Sequence, residues 1–263
     1  MVCGSLAYDR IMDFPGKFTE HILAGKTHIL NLSFTVNGVK ESFGGTGGNI
    51  AYNLALLGER PKIIAVAGKD FSRYREWFRK NKIDLSGVKI LKSELTASAY
   101  IMTDQADNQI TAYYPGANGK TPLIPILKGD KKALAIIAPD IVARMAEYAK
   151  IFRQFKVSYI FDPGQQIISY NAKELKYAIA GAKALIGNDY EIELVLNKLK
   201  VKLKQLEKMM EILIITKGGN GSEIYNKNEK IIIRPAKPKV VLDPTGAGDA
   251  YRAGFIKGLI AGW

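Results

Sequence analysis

Six short, continuous apolar runs constrain this chain more than any other feature: Val2 to Leu6, Ile63 to Ala67, Leu134 to Ala138, Val157 to Phe161, Ala184 to Ile186 and Ile212 to Ile215. Each is partly β-branched, and most are closed by Gly, Pro or Asp, as in strands buried on both faces. Helical patterns separate several of them, at Asn49 to Leu57, Phe71 to Asn81, Ile141 to Phe155, Ala172 to Gly181 and Glu191 to Met210. Strand and helix in alternation predict a mostly parallel sheet covered on both sides, a three-layer α/β/α core.

Two segments break that rhythm. Ser33 to Phe43 reads SFTVNGVKESF, and Asn37-Gly38 offers the positive φ that a tight hairpin turn needs. Ala97 to Tyr114 forms two alternating arms around a polar turn. Antiparallel signals inside a parallel pattern predict a small sheet that stands off the core as a lid, built from segments of about 14–43 and 95–116. Its exposed edges raise the expectation of a homodimer formed through the lid.

A chain of 263 residues suits one large domain, residues 1–263, with no second folding unit required. The formal charge of +13 favours anionic partners, but the lysines are spread out. The densest stretch, Asn197 to Lys208, alternates Leu and Val with Lys like a solvated helix face, so no nucleic-acid partner is expected. Neither a leader pattern nor a run of about 18 apolar residues is present. A cytoplasmic protein without a membrane partner is therefore expected. The single Cys3 reads as a buried strand thiol, and His21 and His28 as ordinary loop or strand residues that cannot build a zinc site.

The strongest chemical signal is Asp243-Pro-Thr-Gly-Ala-Gly-Asp249, which follows apolar Val240-Val241-Leu242 and precedes a helical pattern with Ala250, Ala253, Ile256 and Leu259. The small residues Gly246, Ala247 and Gly248 let backbone N–H groups converge at a helix start, where they favour a phosphoryl group gaining charge. Asp249 beside them could take the proton of an attacking hydroxyl. Read without other information, the same residues serve equally as a Gly-rich connection with Asp249 capping a helix. A second glycine cluster, Gly44-Gly45-Thr46-Gly47-Gly48-Asn49, permits close approach to a ligand, with Asn49 able to bind a sugar diol. A flexible turn with Asn49 as a cap is the alternative. Gly116-Ala-Asn-Gly119-Lys120-Thr121 is too tightly spaced for a phosphate-binding P-loop.

These two motifs, in this order, resemble the paired signatures of the ribokinase-like family, the PfkB carbohydrate kinases. Further matches at Gly4 to Asp9, Tyr114 to Ala117, Asp162 to Gln166 and Asn188 to Glu191 are most similar to its bacterial adenosine kinase branch. The resemblance implies that Asp249 is the catalytic base, with the amides of Gly246, Ala247 and Gly248 holding the phosphoryl group. It implies that Asp9, Gly45 and Asn49 grip the ribose hydroxyls, that Ser5, Ser33, Gln165 and Gln166 make further acceptor contacts, and that Tyr100 and Tyr113 of the lid sandwich a purine. Symmetric folding of the lid arms around their turn places Tyr100 opposite Tyr113. For the donor, ATP with Mg²⁺, the resemblance implies Asn188, Thr216, Gly218 and Gly221 as nucleotide contacts and Glu191 as the carboxylate that organises the metal through water.

The implied reaction is ATP-dependent phosphorylation of the 5′-hydroxyl of adenosine to AMP, a purine salvage step. Another nucleoside or a furanose sugar is the alternative acceptor, and a catalytically silent nucleoside-binding protein the alternative class. Ala7 and Thr46 stand where sugar-specific relatives commonly carry Asn and Lys, which disfavours ribose itself. Family members usually continue beyond the point where this sequence ends at Trp263. The expectation is that their C-terminal helices are absent here, so that either the sequence is truncated or the donor site they help form is incomplete.

Overall fold

The structure, a computed structural model, describes residues 1–22, 31–120, 133–227, 229–240 and 245–263. Val241, Leu242, Asp243, Pro244 and His28 lie outside the described residues. The first strands are β1 (Val2–Cys3), β2 (Ala7–Asp13), β3 (Val39–Gly44), β4 (Lys62–Gly68), β5 (Asp84–Leu91), β6 (Ala97–Thr103) and β7 (Gln109–Tyr114). They are followed by β8 (Ala135–Ile137), β9 (Tyr159–Phe161), β10 (Ala184–Asn188), β11 (Ile212–Thr216), β12 (Ser222–Asn226) and β13 (Glu229–Ile233). The helices are α1 (Phe18–His21), α2 (Thr46–Leu56), α3 (Ser72–Lys80), α4 (Gly116–Lys120), α5 (Val142–Phe155), α6 (Ala172–Ala180), α7 (Asp189–Leu199), α8 (Leu203–Leu206) and α9 (Ala247–Ala261).

Nine strands form the main sheet in the order β13-β12-β11-β10-β9-β8-β1-β4-β5. Pairing is parallel from β11 to β5, and β12 and β13 add an antiparallel edge. The two-residue repeat of a strand divides each apolar run between two cores. Ile63, Ala65, Ile136, Ile160, Ile186 and Ile214 face a cluster with Ile50 and Leu54 of α2, Tyr74 and Phe78 of α3, and Ile256 of α9. Their neighbours Ile64, Val66, Ile137, Phe161, Leu185 and Leu213 face Met145 and Phe152 of α5, Leu175 of α6 and Val195 of α7. The expected three layers and mostly parallel sheet are therefore present.

Three local expectations are corrected. The first apolar run leaves the main sheet after Cys3, and the chain crosses directly into the smaller sheet, ordered β3-β2-β6-β7. That sheet thus begins at Ala7 and is mixed, because β2 and β6 run parallel. The hairpin around Asn37-Gly38 does not form: β3 pairs with β2 instead, and the Asn37 N–H donates to the Asp13 carbonyl at 3.1 Å. Phe34 is drawn into an aromatic cluster with Phe14, Phe18 and His21, at ring separations from 4.9 to 5.6 Å, which outweighs its strand pattern. The long helix expected from Glu191 to Met210 ends at Leu199, with Lys200 left-handed at φ 53°. Leu199, Val201 and Leu203 alternate with lysine at a period of two, which cannot continue one apolar helical stripe.

The start of α2 is pressed against the exit of β1. A Cβ at Gly47 would lie 2.7 Å from the Gly4 carbonyl carbon, a backbone atom that cannot yield, whereas one at Gly38 would meet nothing within 4 Å. Gly47→Ala is therefore expected to lower stability by about 1–3 kcal/mol through overpacking. Gly38→Ala should stay within about 0.5 kcal/mol in the same urea titration; equal midpoints for the two variants would contradict this packing.

Candidate active site

Polar residues follow the carboxyl ends of the buried strands. Ser5 lies beyond β1, Asp140 beyond β8 and Asp162 beyond β9, while Asn188 and Thr216 close β10 and β11 and pair in register. From β1 the chain moves to β4 on one side, and β8 is added on the other. Between β1 and β8 the sheet order reverses, which opens a crevice at the carboxyl ends. Ser5, Asp140 and Asp162 line a cleft there of about 520 Å³.

The opposite wall is the small sheet. Asp9 on β2 is in register with Ala99 on β6, and Ala99 with Tyr113 on β7, so all three share one face. Asp9 and Tyr113 both line the cleft. Burial pushes the Asp9 carboxyl above its usual range. Gly45, which caps α2 at φ 85°, has no room for a side chain, since a Cβ would stand 2.7 Å from the Ala7 nitrogen and the Ser5 oxygen.

Asp249 belongs to the first turn of α9, which Gly246 caps in a left-handed conformation at φ 78°. The first N–H groups of a helix have no intrahelical acceptor, so α9 offers them at this wall. Asn49 Nδ2 donates to Asp249 Oδ2 at 2.9 Å, joining α2 to α9. Burial pushes the Asp249 carboxyl up to about 6; the Asp162 charge acts in the same sense, and the Asn49 hydrogen bond and Arg252 charge oppose it. Beneath it, Arg252 holds fully buried Asp162 through two hydrogen bonds, from Nε to Oδ2 and from Nη2 to Oδ1, the latter at 3.0 Å. Arg252 Nη1 also donates to the Gly248 carbonyl at 2.9 Å.

Beyond β10, Asn188 and Glu191 form a reciprocal helix cap on α7. The Glu191 N–H donates to Asn188 Oδ1 at 2.7 Å, and the Asn188 N–H to Glu191 Oε2 at 2.8 Å. Glu191 still reaches the cleft that holds Asp249, and its carboxyl is raised by burial and by Asp162. Gly218 and Gly221 flank a short turn after β11, both at positive φ. Asp9, Asp140, Asp162, Asp249 and Glu191 thus crowd one cleft that Arg252 also lines. Among the described residues no three of these groups converge to hold a metal directly, and with Asp162 and Asp140 committed to arginines the remaining carboxylates suit a hard divalent cation only through its waters.

The structure brings Ser5, Asp9, Gly45, Tyr113, Gln165, Gln166, Glu191 and Asp249 to one cleft. Asn49, Gly246 and Ala247 line an adjoining recess that shares Asp9. Asn188, Thr216, Gly218, Gly221 and Gly248 line neither the cleft nor the recess, and two expectations on the acceptor side fail. Ser33 is exposed and does not line the cleft. Tyr100 is in register with Ala112, not Tyr113, so it projects from the other face of the small sheet. There its hydroxyl accepts from Arg10 Nη1 at 3.1 Å, and the Arg10 guanidinium lies 5.3 Å from its ring centroid. Arms of unequal contribution to the turn shift the pairing by one residue, and one residue reverses the face.

Sequence reasoning assigned no role to Asp162, Arg252, Asp140 or Asn118. The available signal was a charged residue just past a wholly apolar run, as at Phe161-Asp162 and Ala138-Pro-Asp140. Because Asp162 neutralises a buried guanidinium, Asp162→Ala is expected to cost about 3–5 kcal/mol in denaturant unfolding. The paired change Asp162→Leu with Arg252→Met should recover much of it; a single variant with wild-type stability would refute the pairing.

A family model described as pfkB family carbohydrate kinase matches residues 8–263. A nucleoside kinase of Methanothermobacter thermautotrophicus is 33% identical over 240 residues, 88% of this chain and 76% of that protein. The structure of a Burkholderia thailandensis nucleoside kinase in complex with inosine superposes with a TM-score of 0.83 at 35% identity, covering 100% of this chain and 84% of the other. That of the Methanocaldococcus jannaschii nucleoside kinase superposes with a TM-score of 0.87 at 29% identity, covering 100% and 85%.

Proposed function

The chain belongs to the pfkB family of carbohydrate kinases, and on that premise we propose that it is a nucleoside kinase transferring the γ-phosphoryl group of ATP to a 5′-hydroxyl. The observation that carries the proposal is Asp249: a carboxylate in the first turn of α9, hydrogen-bonded by Asn49 and lining the cleft that Asp9 also lines. Adenosine is the acceptor we propose first. The inosine bound to the Burkholderia thailandensis kinase supports a second reading, a 6-oxopurine nucleoside.

In this reading Asp9 accepts hydrogen bonds from the ribose diol through its two oxygens. Asn49 and Gly45 hold the sugar so that its 5′-oxygen meets Asp249. The carboxylate takes the 5′-proton as that oxygen bonds to the γ-phosphorus, the bond from the γ-phosphorus to the bridging oxygen breaks, and ADP leaves with the electron pair. The N–H groups at the start of α9 donate to the phosphoryl oxygens and stabilise the charge gathered there. Magnesium, held through water by Glu191, would supply charge neutralisation between the phosphates and this acidic cleft. Asn188, Thr216, Gly218 and Gly221 form the donor side. One aromatic lid residue, Tyr113, remains to cover the base.

Asp249→Asn should lower kcat by about 10²- to 10⁴-fold while nucleoside binding survives in calorimetric titration. A wild-type kcat in that variant would remove Asp249 from the chemistry. The base must be ionised to act, and its carboxyl titrates at about 6. Hence kcat/KM should fall about tenfold per pH unit as pH drops below that value, and flatten above it. A rate independent of pH from 5 to 8 would be incompatible with this base. Turnover of adenosine, inosine, cytidine and ribose in a coupled ADP assay identifies the acceptor, and phosphorylation of ribose alone would defeat the nucleoside assignment.

A further inference from the structure

The guanidinium that holds Asp162 is not fully used by it. An arginine carries five N–H donors in fixed directions. Asp162 takes one from Arg252 Nε and one from Nη2, and the Gly248 carbonyl takes one from Nη1 at 2.9 Å. Among the described residues no other group accepts from this side chain, so Nη1 and Nη2 each keep one N–H without an acceptor. The Asp162 side chain has no exposure, whereas that of Arg252 retains 10%. The part of the pair that a ligand can reach is therefore the arginine.

Geometry places those donors at the start of α9. Arg252 follows Asp249 by three residues, so the two share a helix face, and both line the cleft. Helical side chains lean toward the N-terminus, and Arg252 reaches back one turn to Gly248. A Cβ at Gly248 would stand 2.9 Å from Nη1; apart from chain neighbours and the helix backbone, no other described atom would lie within 4 Å of it. Gly248 is itself exposed. Nη1 thus stands beside open space at the first turn of the helix.

Phosphoryl transfer brings negative charge to the same place. With the acceptor oxygen at Asp249 and the phosphoryl oxygens on the first N–H groups of α9, the γ-phosphorus lies against the turn that Arg252 flanks. Among the described residues that line the cleft, Arg252 is the one cation.

We infer that Arg252 is a catalytic residue, donating its two remaining N–H groups to oxygens of the γ-phosphoryl group as that group passes to the acceptor. The inference rests on the kinase reading above and extends it. The chemical class recognised is a phosphoryl oxyanion, whose oxygens match the planar fork of a guanidinium as they do not match a single ammonium. Arg252 keeps its proton and no bond forms or breaks at it; it offsets charge on the oxygens in flight. Asp162 is the positioning residue that fixes the plane of the fork.

Calorimetric titration of the whole chain with two nucleotides, each with magnesium, tests this without requiring turnover. The nucleotides are ADP and the β,γ-imido analogue of ATP, which differ by the terminal phosphoryl group. In Arg252→Met combined with Asp162→Leu, which removes both charges together, affinity for the imido analogue should fall about tenfold more than affinity for ADP. Arg252→Lys, which keeps a charge opposite Asp162 but offers no fork, should show the same selective loss, and it decides the matter if the paired variant does not fold. A folded variant that weakens both nucleotides alike, or neither, would overturn the inference whatever its kcat, because Arg252 would then act only by holding α9. Wild-type protein that binds neither nucleotide would sink the kinase reading and this inference together, whereas wild-type phosphorylation of a nucleoside with an unchanged ratio in the variants would sink this inference alone.

Discussion

The paired contact between Arg252 and Asp162 determines how this site is built. Asp162 is fully buried at the end of β9, and Arg252 projects from α9 one turn beyond Gly248, whose carbonyl it also binds. A guanidinium with bonds in fixed directions on both sides leaves α9 little freedom to rotate about its axis. Asp249, in the same helix, is thereby turned toward Asn49 and the cleft. Stability and function are linked at this point: the ion pair offsets its own desolvation chiefly by geometry, and that geometry aims the carboxylate.

The distribution of charge follows from the same architecture. The chain carries +13 overall, yet its cleft gathers Asp9, Asp140, Asp162, Asp249 and Glu191. Their shared burial raises the carboxyls of Asp9, Asp140, Asp249 and Glu191. Of the five, Asp162 has Arg252 and Asp140 has Arg144, which leaves Asp9, Asp249 and Glu191 to meet a ligand. A polyanionic donor approaching such a surface needs cationic help that the side chains at the cleft do not supply in excess. The lysines at a distance raise the encounter rate with anions but are screened beyond about 10 Å.

The core is legible in the sequence because a short, wholly apolar run is satisfied in few places besides a strand buried on both faces. The glycine clusters before Asp249 and around Gly45 stand out as helix starts, but the residues alone leave a plain Gly-rich connection equally open, and Asp9, on strand β2, is singled out only by the family resemblance. Register is what the sequence lacks. The alternation of the lid arms shows in the residues, but symmetry around the turn pairs Tyr100 with Tyr113, whereas the structure pairs Tyr113 with Ala99. Periodicity identifies faces only modulo the turn, and one residue of shift reverses them. The hairpin at Asn37-Gly38 fails for a different reason: a local turn preference competes with the tertiary pairing of β3 on β2 and with burial of Phe34 among Phe14 and Phe18. The contribution of Asp162 is hidden because a lone polar residue after a strand has many uses, and only three-dimensional neighbours choose among them.

The corrected register also changes how the lid must act. A matched aromatic pair would have gripped a base from both sides within the lid itself. With Tyr100 turned outward against Arg10, only Tyr113 faces the cleft, on the same row as Asp9. Asp9 and Tyr113 are carried by one hydrogen-bonded sheet, so neither can move without the other. Arg73 on α3 and Arg10 on β2 both meet Glu41 on β3, which anchors that sheet to the core on its outer side. Across the cleft stand Ile141 and Gln166, which follow β8 and β9 of the main sheet, and Asn118 on α4. The cleft is therefore walled by residues of both sheets, and a ligand that fills it meets side chains from each.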